Sequence, residues 1–149
     1  MKLPIKDLWF VGIQGILFLC FLWPGPFSFS TPAYISYTLY GLAGIGAMIL
    51  LIAVLQLNST LSPFPTPRSS GQLITNGLYA HVRHPIYSGI LLLAFGLALA
   101  TGSFFRLLIS LLLLLLFYYK SSYEEKLLEK HYPDYADFKN SRGRFSPKW

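Results

Sequence analysis

The chain of 149 residues is poor in the features on which disulfide-bonded, metal-binding or soluble domains depend. Its single cysteine, Cys20, lies inside an apolar run, so an intrachain disulfide and a cysteine-based metal cluster are both excluded. Nothing in it requires an oxidising compartment. Charge is scarce as well: Asp, Glu, Lys and Arg make up 12% of the residues and apolar types 54%, a balance that points to a membrane rather than to a soluble domain of this size. Basic side chains outnumber acidic ones, twelve to six, but they flank apolar runs and crowd the C-terminus instead of lining a polar face, so no nucleic-acid partner is expected. Lys2 and Lys6 precede an apolar stretch in the way a signal peptide begins; no small-residue cleavage site follows, and this first segment is expected to stay as an anchor.

What the sequence does contain is apolar segments. A bilayer core about 30 Å thick needs roughly 20 apolar residues in helix. Four segments approach that length: about Leu8 to Trp23, stopped by Trp23-Pro24-Gly25-Pro26; about Ala33 to Leu57; about Ile86 to Ala100; and about Phe104 to Tyr119. Only Thr101-Gly102-Ser103 separates the last two, which predicts a helical hairpin. The expectation is an all-α, polytopic membrane protein, a single membrane domain over residues 1–149, with 1–57 as an N-terminal helix pair and 71–149 as the core. Lys2, Lys6, Arg68, Arg83 and every cation from Lys120 onward share one side, and Arg106 alone falls on the other. The positive-inside rule then predicts a multi-pass topology with both termini and the loop from Asn58 to His84 in the cytoplasm. Trp9, Trp23, Tyr34, Tyr37, Tyr118 and Tyr119 fit interfacial anchors. Asn58 to Ser70, rich in Ser, Thr and Pro, should be extended or turn-like over the membrane face. Beyond Tyr119 the helical pattern continues to about His131, predicting an amphipathic extension that leaves the bilayer.

Chemistry is expected in Gly71 to Gly89, the densest polar and aromatic cluster beside an apolar helix. His84 precedes Pro85, which suits the first position of a helix, so the positive end of that helix should face the cytoplasm beside Arg83, where the two would attract a carboxylate or phosphate. Tyr87 lies one turn in, and Gly89 would let a ligand or another helix approach the backbone. The bland alternative is a snorkelling Arg83 with interfacial His84 and Tyr87. Glu124 and Glu125 follow the fourth span and point about 100° apart, so at most one readily faces a shared pocket. Lys120, one turn earlier, could simply form a surface ion pair with Glu124. Gly41, Gly44 and Gly46 lie in an apolar helix with no strand before them, and are expected to serve helix packing rather than nucleotide binding. Leu111 to Leu116 reads as packing or lipid-facing surface, and Cys20 as a buried apolar residue.

At Gly77-Leu78-Tyr79-x-x-x-Arg83-His84-Pro85-x-Tyr87-x-Gly89, followed after one hairpin by Glu124-Glu125 and then Tyr132, Tyr135 and Pro147, the sequence resembles the isoprenylcysteine carboxyl methyltransferase and phospholipid methyltransferase superfamily of integral membrane enzymes. The resemblance covers about Gln72 to the end. It implies S-adenosyl-L-methionine as cofactor, bound without a Rossmann domain between the cytoplasmic loop, the start of the penultimate helix and the extension of the last. Leu73 and Ile74 would line the adenosine site; Tyr79, His84, Pro85, Ile86 and Tyr87 would hold the cofactor; Glu124 matches the family glutamate that contacts it. Arg83 and Gly89 complete the cofactor-binding set. Lys120 falls where the prenylcysteine enzymes have an arginine for the substrate carboxylate, which makes it the candidate acceptor contact. No metal is implied.

The chemistry of the cofactor agrees with that assignment, since its carboxylate, amine and sulfonium could be met by Arg83 with the helix start, by Glu124 and by tyrosine faces. In-line transfer from a sulfonium needs positioning and exclusion of water; a carboxylate or thiolate acceptor needs no base, whereas an amine would, and His81 or His84 is the candidate. The expected partners are the lipid bilayer and a hydrophobic or lipid-linked acceptor bearing a carboxylate, thiol or amine, entering sideways between helices. With two spans before the core the chain is shorter at its N-terminus than the eukaryotic prenylcysteine enzymes, and part of acceptor recognition is expected to lie in that difference. NADPH-dependent reductases of the steroid 5-alpha-reductase type share a similar C-terminal fold and Arg-His-Pro element. They typically carry asparagine between proline and tyrosine and a glutamate shortly after, where this chain has Ile86, Ser88 and Gly89, and the departure favours methyl transfer. A non-catalytic scaffold would leave the polar cluster unexplained.

Overall fold

The computed structural model describes residues 4–57, 62–67 and 73–148. Its helices are α1 (Ile5–Leu22), α2 (Ala33–Leu57), α3 (Pro85–Ala100), α4 (Phe104–His131) and α5 (Tyr135–Ser141), with a short 3-10 turn over Gly77–Ala80. Among the described residues helices α1, α2 and α4 are long and apolar enough to cross a membrane, and α3 is a shorter apolar helix. The protein is therefore an all-α polytopic membrane protein. Large apolar side chains stay exposed along α1, α2 and α4, where lipid rather than water is the matching solvent. Trp9, Trp23, Tyr34, Tyr37, Tyr118 and Tyr119 are all exposed, as interfacial rings require.

The order of packing is α2 on α3, α3 on α4, and α4 on α1. The α2–α3 seam is close because a glycine stands on each side of it. A Cβ on Gly46 would come within 2.9 Å of the Gly89 carbonyl oxygen, and one on Gly89 within 2.7 Å of the Leu50 amide nitrogen. Of the three α2 glycines expected to pack, only Gly46 does so; Gly41 and Gly44 face open space. On the other side of α3, Leu91 and Ala94 meet Ile109, Leu113 and Phe117 of α4, with Leu17, Cys20 and Phe21 of α1 against them. Cys20 is half-buried there rather than fully enclosed. Leu113 alone of the leucine run joins this core, while Leu111, Leu112, Leu114 and Leu115 remain exposed.

The expected hairpin between α3 and α4 turns at Gly102, whose φ of 61° and contact with the Phe29 carbonyl leave no room for a side chain. Ser103 caps α4 by accepting from the Arg106 N–H at 3.0 Å. Arg106, among the described residues the lone cation at this end, donates to the carbonyls of Phe21 (3.2 Å) and Leu22 (3.3 Å), satisfying acceptors at the C-terminus of α1.

The opposite end collects the start of α1, the end of α2, the start of α3 and the last turns of α4. α4 runs unbroken into the expected extension, up to His131. Two features here were not anticipated. One is α5; the other is the tail after it, which returns to the start of α3, where Arg83 N–H donates to Gly143 O (3.0 Å) and His84 N–H to Arg144 O (3.1 Å). Of the segment Asn58 to Ser70, residues 62–67 are described and form a bent strap; Lys2, Arg68, Gly71 and Gln72 lie outside the described residues.

Candidate functional site

Pro85 occupies the first turn of α3, and His84 before it is non-helical (φ −126°, ψ 63°) without reaching the extended geometry that a residue preceding proline favours. That geometry turns the His84 ring into the protein, where it stacks on Tyr87 (5.3 Å between centroids, 10° between planes). Tyr87 in turn stacks on Phe117 of α4 at 4.5 Å. So held, the Tyr87 hydroxyl donates to Glu124 at 2.9 Å. Tyr79, on the 3-10 turn, is anchored by donation to the Ala53 carbonyl (3.4 Å), and the turn itself by the Leu78 N–H to Gln56 Oε1 (3.0 Å). Burial, with the charge of Glu124, keeps the Tyr79 phenol well above its ordinary pKa, so it stays neutral.

These side chains line a cavity of about 330 Å³, at the lower end of the range for small-molecule sites. Leu73, Ile74, Tyr79, Arg83, His84, Ile86, Tyr87, Lys120 and Glu124 all contribute to its wall. Two residues assigned to the cofactor do not. Pro85 is buried and acts by starting α3. Gly89 belongs to the α2–α3 seam, where the close approach it permits is to the backbone of α2.

Glu124 and Glu125 diverge as their spacing requires. Glu124 faces the cavity, whereas Glu125 is fully buried between His84 Nε2 (3.1 Å), Arg144 (3.2 Å), Arg83 (3.5 Å) and Lys139 (3.6 Å). In this extension beyond the span, burial raises the Glu125 carboxyl, but the His84 hydrogen bond and the charges of His84, Arg83 and Arg144 outweigh it and hold the group below the usual carboxylate value. Arg83 is accordingly less available to a ligand than the sequence suggested. Its guanidinium is committed to Glu125 and to the Lys139 carbonyl (3.3 Å), and its buried Nε alone lacks a partner.

Lys120 is not a surface ion pair. It is 1% exposed, donates to Gln14 Oε1 (2.7 Å) and the Pro63 carbonyl (2.9 Å), and sits 5.6 Å above the Tyr87 ring. Of the two candidate bases, His81 is exposed and away from the cavity, and His84 is held by Glu125.

Sequence reasoning looked to the stretch Asn58 to Ser70 for chemistry and had Tyr135 in its pattern, but assigned no site role to any residue there, nor to Gln14, Phe138 or Phe145. Gln14 of α1, the strap 62–67, and Tyr135 and Phe138 of α5 all line the cavity. Burial, and next the charge of Glu125, raise the Tyr135 phenol well above its ordinary value. Phe145 of the tail abuts both His84 (6.3 Å) and Tyr87 (6.4 Å). The one available signal was Asp7, an acid at the start of an apolar helix: it is fully buried and accepts from the Thr66 N–H at 3.0 Å.

A family model described as phospholipid methyltransferase matches residues 38–135, which takes in α2 from its second turn on, the Arg-His-Pro segment, α3 and α4. No curated protein matches the chain.

Proposed function

Because the chain belongs to the phospholipid methyltransferase family, we propose that it transfers the methyl group of S-adenosylmethionine to a hydrophobic or lipid-linked acceptor at the bilayer face. The observation that carries this reading is the pairing of the Glu124 carboxylate with the Tyr87 hydroxyl and the neighbouring tyrosine ring of Tyr79 on one cavity wall. A carboxylate among aromatic rings suits a ligand bearing both an ammonium and a sulfonium. The residues present fit the remaining group as well. The unpartnered Nε of Arg83, buried beside the start of α3, is a donor waiting for an anionic oxygen.

In this assignment Leu73, Ile74, Tyr79, Ile86 and Tyr87 hold the cofactor with Glu124, and His84 positions Tyr87. When bound, the cofactor supplies an activated methyl group on a sulfonium. The protein's own part is to fix the reacting groups in line and to exclude water, which the stacked His84, Tyr87 and Phe117 rings and the apolar walls accomplish. Lys120 offers its charge to the acceptor. No side chain is assigned as a base, so a carboxylate or thiolate acceptor is met without one. The cation distribution supports an orientation with the site and both termini in the cytoplasm.

Calorimetry in detergent tests the reading, with S-adenosylhomocysteine and NADPH as ligands for the parent protein and for Tyr87→Ala and Glu124→Ala. S-adenosylhomocysteine is expected to bind, and each substitution to weaken it by about tenfold or more, the scale of a lost charge-assisted hydrogen bond. Binding of NADPH alone would replace this function with a reductase.

A further inference from the structure

The cavity is not completed by the family-matched residues. Gln14 is part of its wall, and Asp7 stands directly behind Thr66, which is also wall. Both come from α1, ahead of the match at 38–135. An acid in a first helical turn gains from the helix dipole, but that gain needs no burial, and a buried carboxylate is costly unless its oxygens are occupied. Asp7 is fully buried. One of its oxygens accepts the Thr66 N–H at 3.0 Å, while the other has no partner; the Thr66 hydroxyl is buried and unpartnered too. A second clasp lies further along α1, where Lys120 Nζ joins Gln14 Oε1 (2.7 Å) to the Pro63 carbonyl (2.9 Å). The strap 62–67 is thus tied to α1 near both of its ends, once directly and once through Lys120.

We infer that Asp7 and Gln14 are positioning residues that hold the strap against the cavity and so shape its acceptor-facing wall. The inference rests on the proposed cofactor placement against Tyr79, Tyr87 and Glu124, which leaves the strap, Gln14 and Lys120 to the acceptor. Acceptor selection then resides partly in a helix that family membership does not specify. The role of Asp7 is to accept the Thr66 N–H, a bond that a neutral amide oxygen can also accept.

Pro65 is buried in the strap, so Pro65→Cys in a Cys20→Ala background reports strap lifting by its rate of maleimide labelling in detergent. Labelling is expected to be slow in that parent, about tenfold faster with Asp7→Ala or Gln14→Leu added, and slow again with Asp7→Asn, as local opening requires. With Pro65 intact, methyl transfer to oleate vesicles, whose lipid carboxylate needs no base, should show a KM for the vesicles raised about threefold or more by Asp7→Ala, with the affinity for S-adenosylhomocysteine held and Asp7→Asn restoring KM. Labelling unchanged by Asp7→Ala and Gln14→Leu would overturn the clasp. Asp7→Asn as defective as Asp7→Ala would overturn the positioning role in favour of the charge itself, and an equal loss of S-adenosylhomocysteine affinity would overturn the acceptor-side assignment. If S-adenosylhomocysteine fails to bind the parent, the methyltransferase reading falls, while the labelling rates still decide whether α1 holds the strap.

Discussion

Glu124 and Glu125 are neighbours in sequence with different tasks, because consecutive helical side chains point about 100° apart. Glu124 meets the cavity and the Tyr87 hydroxyl; Glu125 knots together α4, α5, the start of α3 and the tail through Arg83, Lys139, Arg144 and the His84 ring. Removing Glu125 leaves the half-buried Arg83 without its counter-charge and the buried His84 ring without its hydrogen-bond partner, so Glu125→Ala is expected to cost about 3–5 kcal/mol of stability, read as a large fall in the unfolding midpoint in detergent. The pH dependence follows from the depressed carboxyl. Its stabilisation is complete above the ordinary value of 4.5 and is lost as pH falls through the lower folded-state value. Glu125→Gln should therefore flatten the acid limb of the stability profile; an unchanged limb would show that other carboxylates set it. At this scale the sequence exposed the two glutamates and their divergence, but not the partners of Glu125. Lys139 and Arg144 are hydrophilic residues in a polar C-terminal stretch, and nothing in their spacing points back to residue 125.

At the scale of elements, the Arg-His-Pro segment starts α3 and the tail secures it from behind, with paired backbone bonds from residues 83 and 84 to residues 143 and 144. α3 is secured on its other face by the glycine seam with α2. Gly89→Val would drive a branched side chain into the α2 backbone, where Leu50 N and Gly46 O lie within 3 Å of the added Cβ. The expected cost is about 1–3 kcal/mol or more, as for overpacking in general. A thermal scan of the purified variant checks it, and a midpoint equal to that of the parent would mean that α2 and α3 can separate freely. Helix boundaries were largely readable because their punctuation is local: the Pro-Gly-Pro after Trp23, the turn at Gly102 and the proline at residue 85. α5 was not, since its stability comes from seating Tyr135 and Phe138 against the site, which is a tertiary event.

For the whole molecule, the asymmetric cations define one end, and the cavity, the buried acids and the returning tail all lie there. If that end is cytoplasmic, a cysteine replacing exposed Ser30 should react with a membrane-impermeant maleimide in intact cells, while one replacing Ser146 should react only after permeabilisation. The reverse pattern would invert the proposed topology. The sequence by itself determined the number of apolar segments, their ends, the hairpin and the cluster around Arg83 to Tyr87, because hydropathy, proline, glycine and helical period all act within a few residues. Only the tertiary structure decided that Asp7, Gln14, residues 62–67, Glu125 and Phe145 converge on that cluster. Helices that are apolar all round carry no stripe to say which face meets which neighbour, so their order around the site is set by close packing, glycine against backbone and ring against ring, and not by pattern.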